Sequence, residues 1–167
     1  LHYPLRRQRQ MCIRDSNMVE RARKMYSAEL DQRSFRFARK SAPKSLKTAL
    51  DRVNRQWNEL YRNQDGAYQV YHAIAEKFLF ALQQAGTDIT DLMTDEPESI
   101  SPELQRFYFD AMQFSKLAEV FGEHSMFDIT RDTEPGSKVQ ATLCIRNIVP
   151  APFLKQRFAT AHSTTLF

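Results

Sequence analysis

The chain has 167 residues, of which 42% are hydrophobic and 26% are charged, and its formal net charge is +4. This composition supports a packed core and excludes a disordered chain, and its apolar runs are shorter than the ~20 residues that span a membrane. Only two cysteines are present, Cys12 and Cys144, which exclude a disulfide framework and a four-ligand metal site and make a reducing cytoplasm the expected compartment.

Residues 1–16 differ in character from the rest of the chain. The string Arg-Arg-Gln-Arg-Gln near the start is polar and aperiodic. The string Met-Cys-Ile-Arg-Asp-Ser at residues 11–16 resembles translated sequencing-adapter read-through. We therefore expect residues 1–16 to be artefactual and non-native, and they are excluded from the fold prediction.

The first two predicted helices follow directly. Asn17 and Glu20 have the spacing of a capping box, which predicts a short helix beginning at Asn17. Residues 25–30 fit either an extended or a helical conformation. Residues 32–40 are predicted to be helical, and Pro43 interrupts that pattern because proline cannot continue a helix.

Two further helices are predicted on either side of a turn at residues 64–66. The clearest helix spans residues 45–62, because its apolar side chains recur at spacings of three and four. These side chains are Leu46, Leu50, Val53, Trp57 and Leu60 or Tyr61. The next helix is predicted over residues 69–85, with Ile74, Phe78 and Leu82 as its apolar stripe. Gly86 is expected to stop it.

An acidic segment, residues 87–100, is predicted to be a loop before the last long helix. Ser101 and Pro102 are a strong helix start, with serine as the N-cap and proline at the first helical position. That helix is expected to run to about Phe121, and Gly122 ends it.

The hydrophobic period then changes from helical to strand-like. Residues 126–130 and 139–147 are predicted strands, separated by a turn over residues 132–137. In the second of these strands alternate residues are apolar, which is typical of a half-buried strand. The predicted fold class is therefore mainly α with a few strands, an α+β protein.

Charge is unevenly distributed along the chain. Residues 33–62 contain nine Lys/Arg and two acids, whereas residues 85–134 contain twelve acids and three bases. One interpretation is a pair of solvated helix faces of opposite sign that partly face each other. The other is a basic stripe that contacts phosphates. Its candidate nucleic-acid-binding residues are Arg33, Arg36, Arg39, Lys40, Lys44, Lys47, Arg52 and Arg55.

Three tyrosines, Tyr61, Tyr68 and Tyr71, are candidates for stacking on nucleic-acid bases, although burial is the more common fate of aromatic side chains. The sequence contains no Gly-x-x-x-x-Gly-Lys-Ser/Thr phosphate loop, no Gly-x-Gly-x-x-Gly motif and no metal-spaced Cys/His cluster. The four histidines are scattered. We therefore assign no catalytic residue, no cofactor and no metal ligand within this chain.

Two stretches resemble the XPD/DinG family of iron–sulfur, ATP-dependent DNA helicases of superfamily two. The first is Asn-Met-Val-Glu-Arg-Ala-Arg-Lys-Met-Tyr-Ser-Ala-Glu-Leu-Asp-Gln at residues 17–32. In that family an Asp-Glu-Ala-His box is followed directly by Asn and a helix similar to residues 18–24. The second stretch, residues 145–167, contains Val-Pro-Ala-Pro-Phe-Leu, which resembles the segment leading into the family's Ser-Ala-Thr-Leu or Ser-Gly-Thr-Leu motif.

The resemblance covers residues 17–167 and is specific at its two ends. The chain departs from the family just before Asn17, where Ile13-Arg14-Asp15-Ser16 stands in place of Asp-Glu-Ala-His. The phosphate loop and the four cluster cysteines are also missing. Since the chain stops within the strand-like run 164–167, we expect a fragment of a larger protein that is inactive alone.

The resemblance implies a domain organisation and a function. Residues 44–124 would form the helical arch domain, while 17–43 and 125–167 would belong to the first RecA-like motor domain. The parent would be a 5′–3′ DNA helicase of repair or replication in a bacterial-type cytosol. It would use ATP, magnesium and, where the cluster cysteines are present, a 4Fe-4S cluster.

The implied partners are single-stranded DNA, which passes a pore that the arch helps to form, and the remaining motor domains of the same polypeptide, with no membrane. Arg146, Lys155 and Arg157 lie nearest the motor domain, where they either contact DNA or are ordinary surface charges. The alternative function is a non-enzymatic helical interaction module whose acidic stretch, residues 88–103, docks a partner. A third possibility is a fragment that is not stable alone.

Overall fold

The computed structural model describes residues 15–62, 64–132 and 139–160. Within them the helices are α1 (Asp15–Met25), α2 (Gln32–Ser41), α3 (Lys47–Arg62), α4 (Glu76–Asp95), α5 (Pro102–Glu119) and α6 (Ala151–Thr160), with 3-10 turns at Lys44–Leu46 and Pro97–Ser99. The strands are β1 (Ala28–Asp31), β2 (Tyr68–Tyr71), β3 (Ser125–Asp132) and β4 (Gln140–Asn147). The predicted α+β class is confirmed. None of these described helices is both long and apolar enough to cross a membrane.

The four strands form one antiparallel sheet in the order β1-β4-β3-β2. Successive side chains of a strand point to opposite faces, and here the inner face carries the buried apolar residues. These are Leu30, Phe127, Ile129, Leu143 and Ile145. The outer face carries Tyr68, Val70, Asp128, Cys144 and Arg146, of which only Asp128 and Cys144 are buried.

Helices α2 to α5 pack with the inner face of the sheet around a single apolar core. Trp57 of α3 lies at its centre, with its ring centroid 5.3 Å from that of Phe35 and 5.5 Å from that of Phe78. The core takes residues from each of the three predicted segments, 17–43, 44–124 and 125–167. The predicted division into motor and arch segments stays a prediction.

Helix starts follow the local capping chemistry. Asp31 accepts hydrogen bonds from the amide nitrogens of Arg33 at 3.2 Å and Ser34 at 2.9 Å, which caps α2. The Ser101 hydroxyl accepts from the Leu104 amide at 3.2 Å, so the predicted start of α5 is confirmed. In contrast, Asn17 lies inside α1, and its prediction as a helix cap is wrong.

The prediction of a helix over residues 69–85 is wrong at both ends. Tyr68–Tyr71 is a strand, and α4 begins only at Glu76. Helix α4 continues through Gly86 to Asp95, so the predicted loop 87–100 is helical in its first half. Gly86 is buried against α5, and a Cβ on it would lie 3.7 Å from the Met112 sulfur. Gly86 therefore lies inside α4 and does not end it, and an alanine side chain would fit there.

The remaining strand and helix predictions agree with the structure. The two predicted strands correspond to β3 and β4, α2 and α3 match the predicted helices within two residues, and β1 resolves the ambiguous segment 25–30 as partly extended. Apart from Asp132, the predicted turn 132–137 lies outside the described residues, as do the strand-like run 164–167 and residues 1–14.

Candidate nucleic-acid interface

A basic cleft lies where the end of α2 meets the beginning of α3. Because Pro43 ends the helical path, the chain turns back, and the last turn of α2 lies beside the first turn of α3. The cleft has a volume of about 310 Å³. Five bases and one carboxylate line it, together with Ala42 and Pro43: Arg36, Arg39, Lys40, Lys44, Lys47 and Asp51. We call this feature the basic cleft.

A second depression adjoins the basic cleft and shares Arg36 and Arg39 with it, and the rest of its lining is uncharged. Its other lining residues are Asn54, Asn58, Tyr61 and Val139, and its volume is about 450 Å³. We call this feature the polar cleft. Since the same two arginines border both, a ligand that occupies one cleft can continue into the other past these guanidinium groups.

The orientation of Arg36 depends on contacts with distant parts of the chain. Its Nη2 donates to the Val139 carbonyl oxygen at 3.1 Å and to Gln32 Oε1 at 3.4 Å. The fully buried Gln32 also accepts from the Ala141 amide at 3.1 Å and donates to Asn58 Oδ1 at 3.0 Å. Tyr61 donates to the same Asn58 oxygen. This network joins α2, α3 and β4 and fixes the wall of the polar cleft.

The basic cleft contains one internal ion pair. Arg39 Nε donates to Asp51 Oδ1 at 2.6 Å, so part of the charge of Arg39 is neutralised. Lys40, Lys44 and Lys47 are exposed and form no ion pair with a described residue. The first turn of α3 carries no acidic residue, and the partial positive charge of a helix N-terminus adds to that of the lysines. The cleft is therefore electropositive.

The other candidate residues lie away from the basic cleft. Arg33 donates to Gln140 at 3.1 Å beside the start of β4, and Arg52 and Arg55 are exposed on α3. Arg146 lies on the outer face of the sheet and is paired with Asp128. The side chain of Arg157 lies outside the described residues, and Lys155 is exposed on α6.

The Arg146–Asp128 pair is a cross-strand contact with a buried acid. Arg146 Nε lies 2.5 Å from Asp128 Oδ2, and the side chains are 50% and 1% exposed, respectively. The hydrogen bond to Asp128 is the main cause that raises the pKa of Arg146. Because the carboxylate neutralises the guanidinium locally, Arg146 is a weaker candidate for phosphate binding than the lysines of the basic cleft.

The basic segment 33–62 and the acidic segment 85–134 are not paired with each other. No ion pair in the described part of the chain joins them: Arg39 pairs within its own segment, and Asp128 pairs with Arg146. The interpretation of two solvated helix faces of opposite sign that partly face each other stays a prediction.

The three candidate tyrosines differ in exposure. Tyr61 and Tyr71 are half-buried, whereas Tyr68 is 51% exposed on β2, so the expectation of burial is wrong for Tyr68. Burial and then the nearby Asp65 carboxylate raise the pKa of Tyr71. Of the three, Tyr61 is the one that lines a cleft together with Arg36 and Arg39.

Sequence reasoning missed Gln32 and Asn58, the residues that position Arg36 and Tyr61. The one feature of the sequence that could have indicated this role is that each is a polar residue near the buried face of an amphipathic helix. Cys144 is buried, and burial is the main cause that raises its pKa to about 11. The described residues contain no group of three or more His, Cys, Asp or Glu side chains that could hold a metal ion.

The chain was also compared with known proteins. No match was found among protein-family models, among curated proteins or among solved structures. The helicase resemblance therefore rests on the two stretches quoted above.

Proposed function

We propose that this chain is part of an ATP-dependent 5′–3′ DNA helicase of the XPD/DinG type, and that its basic cleft contacts the backbone of single-stranded DNA. The observation that supports this proposal is the gathering of five bases from α2, the 3-10 turn after it and α3 around one cleft that only one carboxylate lines. Lysine and arginine at such a site displace counterions from phosphates without reading the sequence.

The neighbouring polar cleft gives the strand a second kind of contact. Asn54 and Asn58 offer amide groups for hydrogen bonds, and the ring of Tyr61 offers a surface on which a base can stack. Single-strand binding sites combine a positively charged groove with aromatic stacking platforms. The pair of clefts fits that combination, with phosphates against Lys40, Lys44 and Lys47 and a base near Tyr61.

The chain supplies a DNA contact in this proposal and leaves the motor chemistry to the rest of the polypeptide. Phosphoryl transfer needs a phosphate loop and an acid that holds magnesium. The sequence contains neither a phosphate loop nor an Asp-Glu-Ala-His box, and its two cysteines are too few for a 4Fe-4S cluster. We therefore expect no ATP hydrolysis above background from the isolated chain.

The proposal is tested by measuring the binding of a fluorescent oligo-dT strand by anisotropy between about 50 and 200 mM salt. One variant replaces three exposed lysines of the basic cleft with glutamine: Lys40, Lys44 and Lys47. The control replaces three exposed bases elsewhere and removes the same charge: Lys24, Arg106 and Lys116. Each phosphate contact contributes about 0.7 to the slope of log affinity against log salt for a single strand, so the cleft variant should lose about 2.

Equal slopes for the cleft variant and the charge-matched control would refute the DNA-binding site. The helicase assignment is tested separately by re-reading the template on both sides of residues 17–167. An Asp-Glu-Ala-His box before Asn17 and a Ser-Ala-Thr-Leu or Ser-Gly-Thr-Leu motif after Phe167 are the expected result. A start codon near residue 1 with a stop codon directly after Phe167 would contradict it.

A second candidate function is a helical protein-interaction module. Three phenylalanines, Phe37, Phe80 and Phe109, are each more than half exposed on α2, α4 and α5. The acidic stretch 88–103 lies on α4, the turn Pro97–Ser99 and the first residues of α5. Aromatic anchors give binding that changes little with salt, whereas DNA binding weakens steeply. The salt series therefore separates the two functions.

A further inference from the structure

One edge of the sheet is left open by the described residues. Strand β2 is the last strand in the order, and β3 is its one partner within residues 15–62, 64–132 and 139–160. Its sequence, Tyr-Gln-Val-Tyr, contains no charge and no proline, which are the usual devices that keep an edge strand from pairing further. Tyr68 is 51% exposed and Val70 is 42% exposed, so neither residue is covered by the described part of the chain.

The backbone groups that face outward can be identified from the register. The Arg131 amide donates to the Ala67 carbonyl oxygen at 2.6 Å, so the pair 67 and 131 is hydrogen-bonded. In an antiparallel ladder, hydrogen-bonded pairs alternate with pairs that are not hydrogen-bonded. With the register 68↔130 and 69↔129, the backbone N–H and C=O groups of Gln69 and Tyr71 therefore point toward β3. The N–H and C=O groups of Tyr68 and Val70 consequently point away from the sheet.

A large apolar cavity adjoins this edge on the inner face of the sheet. Its volume is about 550 Å³, and Tyr71 of β2 forms part of its wall. Its apolar lining comes from Leu60 of α3, Ile74, and Phe127 and Ile129 of β3. Because alternate side chains of a strand point to one face, every second side chain of a strand added beside β2 would point toward this cavity.

The charges around the cavity favour one kind of occupant. Glu59 and Glu76 line it and Asp65 lies close to Tyr71, against the single base Lys77. Two copies of the chain that paired through β2 would bring these acidic rims together, and like charges across an interface disfavour association. A strand that carries basic residues at its ends would instead meet opposite charge.

We propose that the β2 edge binds an extended segment of a partner protein by strand addition. The segment is apolar at alternate positions, where its side chains fill the cavity, and basic at its ends, where it meets Glu59, Asp65 and Glu76. Backbone pairing with Tyr68 and Val70 supplies the main-chain contacts, and the cavity supplies selectivity for the side chains. This partner surface is separate from the basic cleft.

The test uses the full chain and a panel of acetylated peptides of the pattern Lys-Val-Thr-Val-Thr-Val-Lys, in which the central valine is also replaced by Leu, Phe or Tyr. Binding is followed by the amide resonances of Tyr68 and Val70 and by fluorescence anisotropy. Val70→Pro removes an outward N–H and leaves the bonds to β3 in place, while Val70→Thr is the matched control. A peptide N-methylated at the residues that face β2 tests the same bonds without altering the protein.

At least one peptide should bind and shift these amide resonances, and Val70→Pro and N-methylation should each weaken binding about tenfold or more. Val70→Thr should bind like the unaltered chain. Binding by no member of the panel, or equal binding after N-methylation, would overturn the proposal. So would a dimer in sedimentation velocity that Val70→Pro abolishes, because the occupant of the edge would then be a second copy.

Discussion

The indole nitrogen of Trp57 donates a hydrogen bond to the carbonyl oxygen of Ala141 at 3.2 Å, across 84 positions of sequence. This bond joins α3 to β4, one of the two inner strands of the sheet, and the indole is fully buried. Trp57→Phe removes the donor and part of the packed volume, so we expect a loss of about 2–3 kcal/mol in the free energy of unfolding. Urea unfolding followed by far-UV circular dichroism measures it. Arg55→Gln changes an exposed residue of the same helix. We expect it to alter the free energy of unfolding by no more than about 0.5 kcal/mol.

Removal of Arg146 should be costly because its partner is buried. In Arg146→Met the carboxylate of Asp128 loses its cation while it stays out of water, and we expect a loss of about 2–3 kcal/mol in stability. Adding Asp128→Asn to this variant removes the unpaired charge and should recover part of the loss. The variant Asp128→Asn alone completes the cycle. If the double variant loses as much stability as Arg146→Met and Asp128→Asn lose separately when added together, the pair contributes no coupling energy.

Gly86→Ala should stabilise the protein. Gly86 lies inside α4, where glycine is less favourable than alanine by about 0.5–1 kcal/mol. The added Cβ would lie 3.7 Å from the Met112 sulfur, an ordinary contact distance. We expect a gain of about that size, measured as a shift of the urea midpoint. Gly86→Leu extends into Met112 and should be destabilising, and a loss of stability for Gly86→Ala would contradict this description of the α4–α5 contact.

Asp51→Asn should tighten the binding of single-stranded DNA. Asp51 is the one carboxylate that lines the basic cleft, and its removal frees Arg39 from its ion pair. We expect affinity for oligo-dT to rise about threefold to tenfold at low salt, with a steeper salt dependence. Asp91→Asn on α4 changes the net charge by the same amount away from the cleft. An equal gain in that control would mean that net charge, rather than the cleft, determines binding.

The stability contributed by Cys144 should depend on alkaline pH. Burial is the main cause that raises its pKa from 9.0 to about 11. Between these values the unfolded chain has released the thiol proton while the folded chain retains it, so rising pH favours unfolding. At about 1.4 kcal/mol for each pKa unit, the unaltered chain should lose about 2–3 kcal/mol relative to Cys144→Ala. Parallel pH profiles for the two proteins would contradict it.

Local signals in the sequence predicted most of the helices and strands. Ser101 and Pro102 mark the start of α5 because capping acts within a single turn, and the apolar spacing of α3 identifies its buried face. Gly86 misled the prediction of α4, because glycine is common just after the end of a helix, whereas here it lies inside one. Strand β2 has only four residues, which are too few for the alternation of a strand to be distinguished from the three- and four-residue spacing of a helix.

The candidate site was predicted less completely than the fold. The sequence identified the bases of the basic cleft through the local excess of positive charge. It could not identify Gln32 as the residue that positions Arg36, because the bond from the Ala141 amide to Gln32 spans 109 positions. The pairing of Arg146 with Asp128 likewise depends on the register of β3 with β4, which composition does not determine.

The antiparallel pairing of β1 with β4 also has a mechanical consequence. The chain passes into the helical body through β1 and returns through β4, and the rings of Tyr26 and Phe153 stack just outside this pair at 4.1 Å. The chain therefore enters β1 and leaves β4 at the same end of this strand pair. A displacement applied at α1 and α6 would therefore act on β1 and β4 together, and the residue before β4, Val139, accepts a hydrogen bond from Arg36 of the basic cleft.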